Sequence, residues 1–187
     1  FSYLHLNTEE YKGQHLSLEE LLSRQTGLQV RSGGGQGSFS QASIRGSSGR
    51  QVMVYLDGMP ISGFDGNSID LSSFTLEQIG EIEIYKNIVP SHLSGTGIGG
   101  AINLKSAIGT TPKTAYKATY GSFNTKNFSI SNTGKTHALT HALSYQYKDA
   151  KNNYDYKKNT AANELQERRN NAVTSQHVNG GLTWAPS

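Results

Sequence analysis

The feature that most constrains this chain is a strict alternation of side chains in its C-terminal part. In residues 137–148 the odd positions hold bulky and mostly apolar side chains, such as Leu139, Leu143 and Tyr145, and the even positions hold small or polar ones. A period of two places successive side chains on opposite faces of a β-strand. The pattern predicts long antiparallel strands with one bulky face. Such strands suit either the wall of a membrane β-barrel or a soluble antiparallel sheet.

The charge of the chain changes sign along its length. Residues 1–111 carry 7 Lys and Arg against 10 Asp and Glu, whereas residues 112–187 carry 10 against 4. The stretch 107–113 between them contains the Gly and Pro typical of a linker. We therefore expect a first domain over 1–106, a linker over 107–113 and antiparallel strands over 114–187.

Composition excludes several classes of function. The chain contains no Cys, which excludes disulfide scaffolds, thiol catalysis and zinc–thiolate sites. No run approaches the ~20 apolar residues of a transmembrane helix. The basic residues of the second part are scattered rather than clustered on one helix face, so no nucleic-acid partner is expected.

Two spacings resemble ligand-binding motifs but lack the required context. Residues 95–100 match the dinucleotide pattern GxGxxG, yet the β-prone run AINLK follows where a helix is needed, and no acidic residue lies about 20 residues beyond. His137 and His141 have the spacing of two metal ligands on a helix. Their segment is predicted to be a strand, where that spacing separates them by roughly 13 Å. Neither spacing predicts a site.

The acidic residues do not form a catalytic group either. Asp57, Asp65 and Asp70 lack the spacing of a calcium loop. Glu81 and Glu83 share one face of a predicted strand, but no nucleophile or base accompanies them. We therefore expect no enzymatic activity, no metal site and no cofactor.

Local signals in the first part predict a mixture of helix and strand. Ser17 and Glu20 form a capping box that begins a helix over 18–26, with Leu16 and Leu21 at the staple positions. Asp57-Gly58 predicts a tight turn. Strands are predicted at 28–31, 51–56, 81–86 and 100–105, exposed loops at 32–43 and 59–67, and a helical turn at 75–79. The segments 51–56 and 81–86 are expected to share a small sheet.

Several of these segments occur together in a recognisable order. They are SLEELLSRQTGLQV (17–30), IRG (44–46), VMVYLDGMPI (52–61), DLSSFTLEQIGEIEIYK (70–86), Pro90 and IGGAINLKS (98–106). Together they resemble the plug domain of TonB-dependent outer-membrane receptors, and the loop before residue 46 is especially similar to the cobalamin-transporter branch. Residues 113–187 are similar to the first barrel strands that follow the plug. The structural residues of this resemblance are Gly46, Asp57, Gly58, Gly99, Gly100 and Asn103.

The resemblance implies a fold and a function. The fold is an α+β plug domain with a small mixed sheet, followed by antiparallel β-strands of a truncated transmembrane β-barrel surrounded by lipid. The function is import of a scarce ligand across the outer membrane of a Gram-negative bacterium, with the plug gating the barrel lumen and TonB supplying energy from the periplasm. The ligand would be a ferric siderophore, haem or cobalamin. A signalling receptor plug and a soluble β-rich binding or adhesion module are the alternatives.

The resemblance also assigns residues. Arg45, Glu81 and Glu83 match family positions that contact the barrel wall. The candidates for ligand contact, all in the Gly- and Ser-rich loops, are Gln36, Ser38, Phe39, Phe64, Asp65 and Asn67. The sequence before residue 15 lacks a TonB box, and the chain reaches about the third strand of the barrel wall. We therefore expect a fragment whose TonB box lies upstream.

Overall fold

The structure of the chain is a computed structural model. It describes residues 3–11, 14, 16–33, 39–61, 69–93, 98–107, 112–157, 165–168 and 172–184. Two sheets organise this part of the chain, one of five strands and one of four, and two strand pairs accompany them. None of the helices described here is long and apolar enough to span a membrane.

The first sheet is small and mixed, as predicted. The strands of this part are Tyr3–Asn7 (β1), Leu28–Ser32 (β2), Ser40–Ile44 (β3), Val52–Leu56 (β4), Met59–Ile61 (β5), Ile79–Tyr85 (β6) and Gly100–Ser106 (β7). The sheet has the order β1-β6-β7-β4-β5, in which β4 and β7 run parallel and the other neighbours antiparallel. The strands β2 and β3 form a separate antiparallel pair. The segments 51–56 and 81–86 therefore contribute to one sheet, with β7 between them.

One helix, Leu18–Ser23 (α1), precedes β2, and its capping box is confirmed. The hydroxyl of Ser17 accepts the Glu20 backbone N–H at 3.2 Å, and the Glu20 carboxylate accepts the Ser17 N–H at 3.0 Å. The helix ends at Ser23 rather than at the predicted residue 26. It ends early because the Gln25 N–H bonds the Leu22 carbonyl, which tightens the last turn.

The core lies on one face of the five-stranded sheet, against α1 and the β2–β3 pair. Successive side chains of a strand alternate between two faces, so β4, β6 and β7 direct every second residue into this core. Burying one such aliphatic side chain contributes about 2 kcal/mol, which fixes the helix on the sheet. The side chains buried most completely in this core are Leu18, Leu21, Leu22, Ile44, Leu71, Ile79, Ile82, Ile84, Ile102 and Leu104.

Two segments predicted as loops are strands. Residues 40–44 belong to β3, because they pair with β2 in a register from Leu28–Ile44 to Ser32–Ser40 and bury Ala42. Residues 59–61 form β5, which pairs with β4. Both corrections come from pairing with a neighbouring strand, which the local sequence of these segments does not reveal. A third correction concerns 75–79, where a hydrogen-bonded turn closes from Thr75 to Gln78 and β6 already begins at Ile79.

The second part forms long antiparallel strands, as the alternation predicted. They are Lys113–Gly121 (β8), Thr125–Thr136 (β9), Leu139–Ala150 (β10), Tyr154–Lys157 (β11), Leu165–Arg168 (β12) and Val173–Trp184 (β13). The sheet has the order β13-β10-β9-β8, and β11 pairs with β12. Four long strands are present where about three were expected. The strand predicted from residue 137 begins at Leu139, because His137 adopts a φ of +52° in the turn before it.

The two faces of this second sheet differ. The face directed away from the first sheet exposes large apolar side chains: Tyr116, Tyr120, Phe128, Leu139, Leu143, Val178, Leu182 and Trp184. The opposite face carries polar side chains, among them Lys117, Ser129, Ser144, Gln146 and Lys148, and these lie against the first part of the chain. The sheet therefore has an apolar outer face and a polar inner face.

Candidate functional site

A buried carboxylate lies at the centre of the polar face of the first sheet. Glu83 of β6 is only 8% exposed, and its oxygens accept hydrogen bonds from Asn103 at 2.8 Å and from the Tyr85 hydroxyl at 3.2 Å. Lys105 of the neighbouring strand β7 lies 2.8 Å from Glu83 and 3.3 Å from Glu81. Glu81 also pairs with His5 of β1 at 3.3 Å. The period of two places these side chains on one face and thereby links three strands.

The ionisation of these groups follows from their partners. Burial raises the pKa of Glu83, but the hydrogen bonds from Lys105 and Asn103 outweigh it and hold the pKa below its usual value. Hydrogen bonds from His5 and Lys105 lower the pKa of Glu81. Burial and the neighbouring Glu83 carboxylate raise the pKa of Tyr85 to about 12. At neutral pH both carboxylates are therefore ionised and Tyr85 is a hydrogen-bond donor.

The predicted Asp57-Gly58 turn is tied to this network. Both residues have positive φ angles, +52° and +79°, which a two-residue turn between antiparallel strands requires. The Gly58 N–H donates to the Asn103 side-chain oxygen at 3.0 Å, while the Asn103 amide donates to Glu83. The Asp57 carboxylate accepts the backbone N–H and the hydroxyl of Ser106, at 2.8 and 2.7 Å. Asn103 thus joins the turn to the buried carboxylate.

The glycines at the start of β7 are needed for close backbone approach. Gly100 has a φ of +112°, and a Cβ there would lie 2.4 Å from the Tyr85 carbonyl oxygen. A Cβ on Gly99 would lie 2.7 Å from the Ser47 hydroxyl. Larger residues at these positions would separate β7 from β6 and from the turn after β3.

Arg45 and Gly46 form that turn, with φ angles of +50° and +78°. The Arg45 guanidinium donates to the Asn87 side chain, and Lys86 donates to the carbonyl of Thr26. Within the described part of the chain, no carboxylate pairs with either cation. The structure therefore separates the three predicted wall-contact residues. Glu81 and Glu83 are paired within the sheet, and Arg45 is an exposed cation.

The predicted ligand-contact residues lie mostly outside the described residues. Those outside are Gln36, Ser38, Phe64, Asp65 and Asn67. Phe39 is described: it directly precedes β3, its side chain is about half exposed, and its carbonyl accepts the Gly33 N–H. Phe39 is therefore the one candidate whose position is described. Among the residues that it describes, no cluster of His, Asp and Glu is arranged to hold a metal ion.

Sequence reasoning missed the contacts between the two sheets. Lys117 of β8 lies 3.3 Å from the Glu77 carboxylate, with side chains 27% and 15% exposed. The Gln78 side chain donates to the Ser144 hydroxyl at 2.7 Å, and the Lys148 ammonium donates to the carbonyl of Ser72. The alternation had marked these strand residues as polar-face positions. It could not identify their partners, which lie 40 to 76 residues away in sequence.

A polar cavity of about 440 Å³ lies beside these contacts, between α1 and the strands β8 to β10. Its walls include the carboxylates of Glu19 and Glu77, the ammonium groups of Lys117 and Lys148, and Gln146. Gln146 is 2% exposed, and its side-chain oxygen has no hydrogen-bond partner among the residues that the structure describes. Such a cavity suits water, which can donate to that oxygen.

The model of the TonB-dependent receptor plug domain family matches residues 6–101, which include the end of β1, the strands β2 to β6, α1 and the buried carboxylate. The chain belongs to the TonB-dependent receptor family. A curated relative is the vitamin B12 transporter BtuB of Vibrio cholerae serotype O1. It is 33% identical over 91 residues, which make up 49% of this chain and 15% of that protein.

Solved structures of TonB-dependent receptors share both sheets. The siderophore receptor PirA from Acinetobacter baumannii matches 100% of this chain with a TM-score of 0.69 and 17% identity. The ferric yersiniabactin uptake receptor FyuA from Yersinia pestis matches 99% with a TM-score of 0.68 and 19% identity. The match covers 30% of PirA and 29% of FyuA. The fold is therefore that of a plug followed by part of a receptor barrel.

Proposed function

We propose that this chain is the plug and the first wall strands of an outer-membrane receptor that binds and imports a scarce ligand. A ferric siderophore, haem or cobalamin is the proposed cargo. The observation that carries the proposal is the plug match over residues 6–101, joined in one chain to strands with an apolar outer face. The relative named as a vitamin B12 transporter supports a cobalamin, and the fold shared with siderophore receptors is compatible with an iron chelate.

The outer face of the second sheet supports the proposed location in a Gram-negative outer membrane. Leu143, Val178 and Leu182 are more than half exposed in the structure, and such an apolar surface is stable when lipid covers it. The inner face contacts the plug through polar groups, as a barrel lumen requires. A soluble binding module would bury such an apolar face rather than expose it.

Energy would come from TonB, acting on the plug from the periplasmic side. Arg45 is proposed to contact carboxylates of the barrel wall, because it is an exposed cation without a carboxylate partner among the described residues. Glu81 and Glu83 are proposed to act indirectly, by keeping β1 and β7 on β6. The loops that carry Phe39 and the other ligand candidates are proposed to face the cargo.

Arg45→Ala tests this proposal. In cells with the receptor in their outer membrane, surface binding of labelled cobalamin and ferric enterobactin should persist, and energised uptake should fall. Arg50→Ala is the matched control, because Arg50 is also exposed and lies five residues further along the chain. If Arg45→Ala instead weakened surface binding, while the ligand that still binds were imported normally, Arg45 would be a ligand contact. Absence of binding and uptake of both probes, and of haem, in wild-type cells would reject the proposed function.

A further inference from the structure

Residues 70–78, which directly precede β6, are held in place by hydrogen bonds within the segment. The Asp70 carboxylate accepts the N–H of Ser72 at 3.0 Å and its hydroxyl at 2.9 Å. The Gln78 side chain accepts the Thr75 N–H at 3.1 Å, while the Gln78 N–H donates to the Thr75 carbonyl at 3.1 Å. These bonds shape the local turns of residues 70–78.

Residues 70–78 make all three of the contacts to the wall strands that were described above. Glu77 meets Lys117, Gln78 meets Ser144, and the carbonyl of Ser72 meets Lys148. We call the three strand residues, Lys117, Ser144 and Lys148, the clasp. Its two ammonium groups are partly withdrawn from water, so moving the segment away would leave charged groups without partners in a poorly solvated place.

The regions around the clasp have fewer or weaker polar contacts that could hold the plug in place. The cavity of about 440 Å³ separates α1 from the wall strands and leaves the Gln146 side-chain oxygen without a hydrogen-bond partner among the described residues. At the other side of the plug, β1 is an edge strand. Its ion pair from His5 to Glu81 is exposed by 42% and 44%, which makes it weak. The polar attachment of plug to wall is thus concentrated at residues 70–78.

We propose that the clasp residues are positioning residues that keep segment 70–78 docked on the wall throughout transport, so that the plug opens elsewhere. This inference rests on the proposed transport function. The clasp then acts as the fixed point against which a pull on the plug works. The edge strand β1 pairs with a single neighbour, β6, and belongs to the part that can leave.

Covalent linkage tests whether the segment stays docked. The chain has no Cys, so paired cysteines introduced by Glu77→Cys and Lys117→Cys are its only thiols. They are joined in cells by a reducible bis-methanethiosulfonate linker. Linkage replaces the contact that the two substitutions remove, so uptake of cobalamin and ferric enterobactin should not fall on linkage and should not rise on reduction. The comparison pair Asn7→Cys and Glu81→Cys faces across β1 and β6, and its linkage should lower uptake below that of the same unlinked pair until it is reduced.

The outcomes separate this inference from the proposed function. Loss of uptake on linking residues 77 and 117, restored by reductant, would overturn the clasp as a fixed point. Failure of the wild-type protein to import any probe would reject the transport function itself. A second measurement does not depend on transport: Lys117→Met should increase hydrogen exchange of the 70–78 amides, whereas Lys126→Met, at an exposed strand position, should not. Equal exchange in both variants would also overturn the inference.

Discussion

The Lys105–Glu83 pair permits a quantitative test of the buried network. Lys105→Met removes the ammonium and keeps most of the aliphatic side chain. Glu83 is then left buried with its hydrogen bonds from Asn103 and Tyr85 but without a cation. Removing one partner of a fully buried ion pair costs about 3–5 kcal/mol, whereas an exposed pair contributes about 0–1 kcal/mol. The side chains are 11% and 41% exposed, so we expect a loss of about 2 kcal/mol at neutral pH.

The pH dependence gives the test a sign. The folded-state pKa of Glu83 is lowered, so its ionised network contributes stability above the unfolded carboxyl pKa, about 4.3. That contribution is lost as the pH falls through the folded-state pKa. Lys105→Met removes the main group that opposes the effect of burial on this pKa. The variant should therefore be clearly less stable than wild type at pH 7, and the difference should shrink toward pH 3.

The assay is urea unfolding of the protein in detergent micelles, which gives the free energy of unfolding. Hydrogen exchange of the β6 and β7 amides is measured as well. Lys113→Met is the matched control, because Lys113 is exposed at the start of β8. Equal stability of Lys105→Met and wild type at pH 7 would refute the reasoning. A difference that is unchanged between pH 7 and pH 3 would refute the assignment of the effect to the Glu83 charge.

Three further predictions follow from the geometry. Gly100→Ala should destabilise the plug by more than about 2 kcal/mol in urea unfolding, since its Cβ would meet the Tyr85 carbonyl. Gly46→Ala has free space around its Cβ and should lose only about 1 kcal/mol, so equal losses would contradict the prediction. Ser17→Ala should lose about 1 kcal/mol by removing the helix cap, and unchanged exchange of the α1 amides would argue against it. Leu143→Arg on the outer face should reduce insertion into lipid vesicles, at a cost of about 2–4 kcal/mol; normal insertion would show that this face does not meet lipid.

The sequence by itself determined the local structure. The capping box of Ser17 and Glu20 and the turn of Asp57 and Gly58 depend on neighbouring residues, so short motifs were sufficient to predict them. The alternation in 137–148 likewise identified both faces of the later strand β10, because the period of two is a property of the strand itself.

Only the tertiary structure decided which faces meet. Most of strand β3 was predicted as a loop because its residues are small and polar. These residues form a strand because they pair with β2. The strand pattern placed Glu83 on a face with Glu81, but only the folded sheet shows that Asn103 and Lys105 of the adjacent strand are its partners. The contact of Lys117 with Glu77 joins residues 40 apart. Alternation marks a face as polar but carries no information about what covers it, so such partners emerge only when the two sheets pack together.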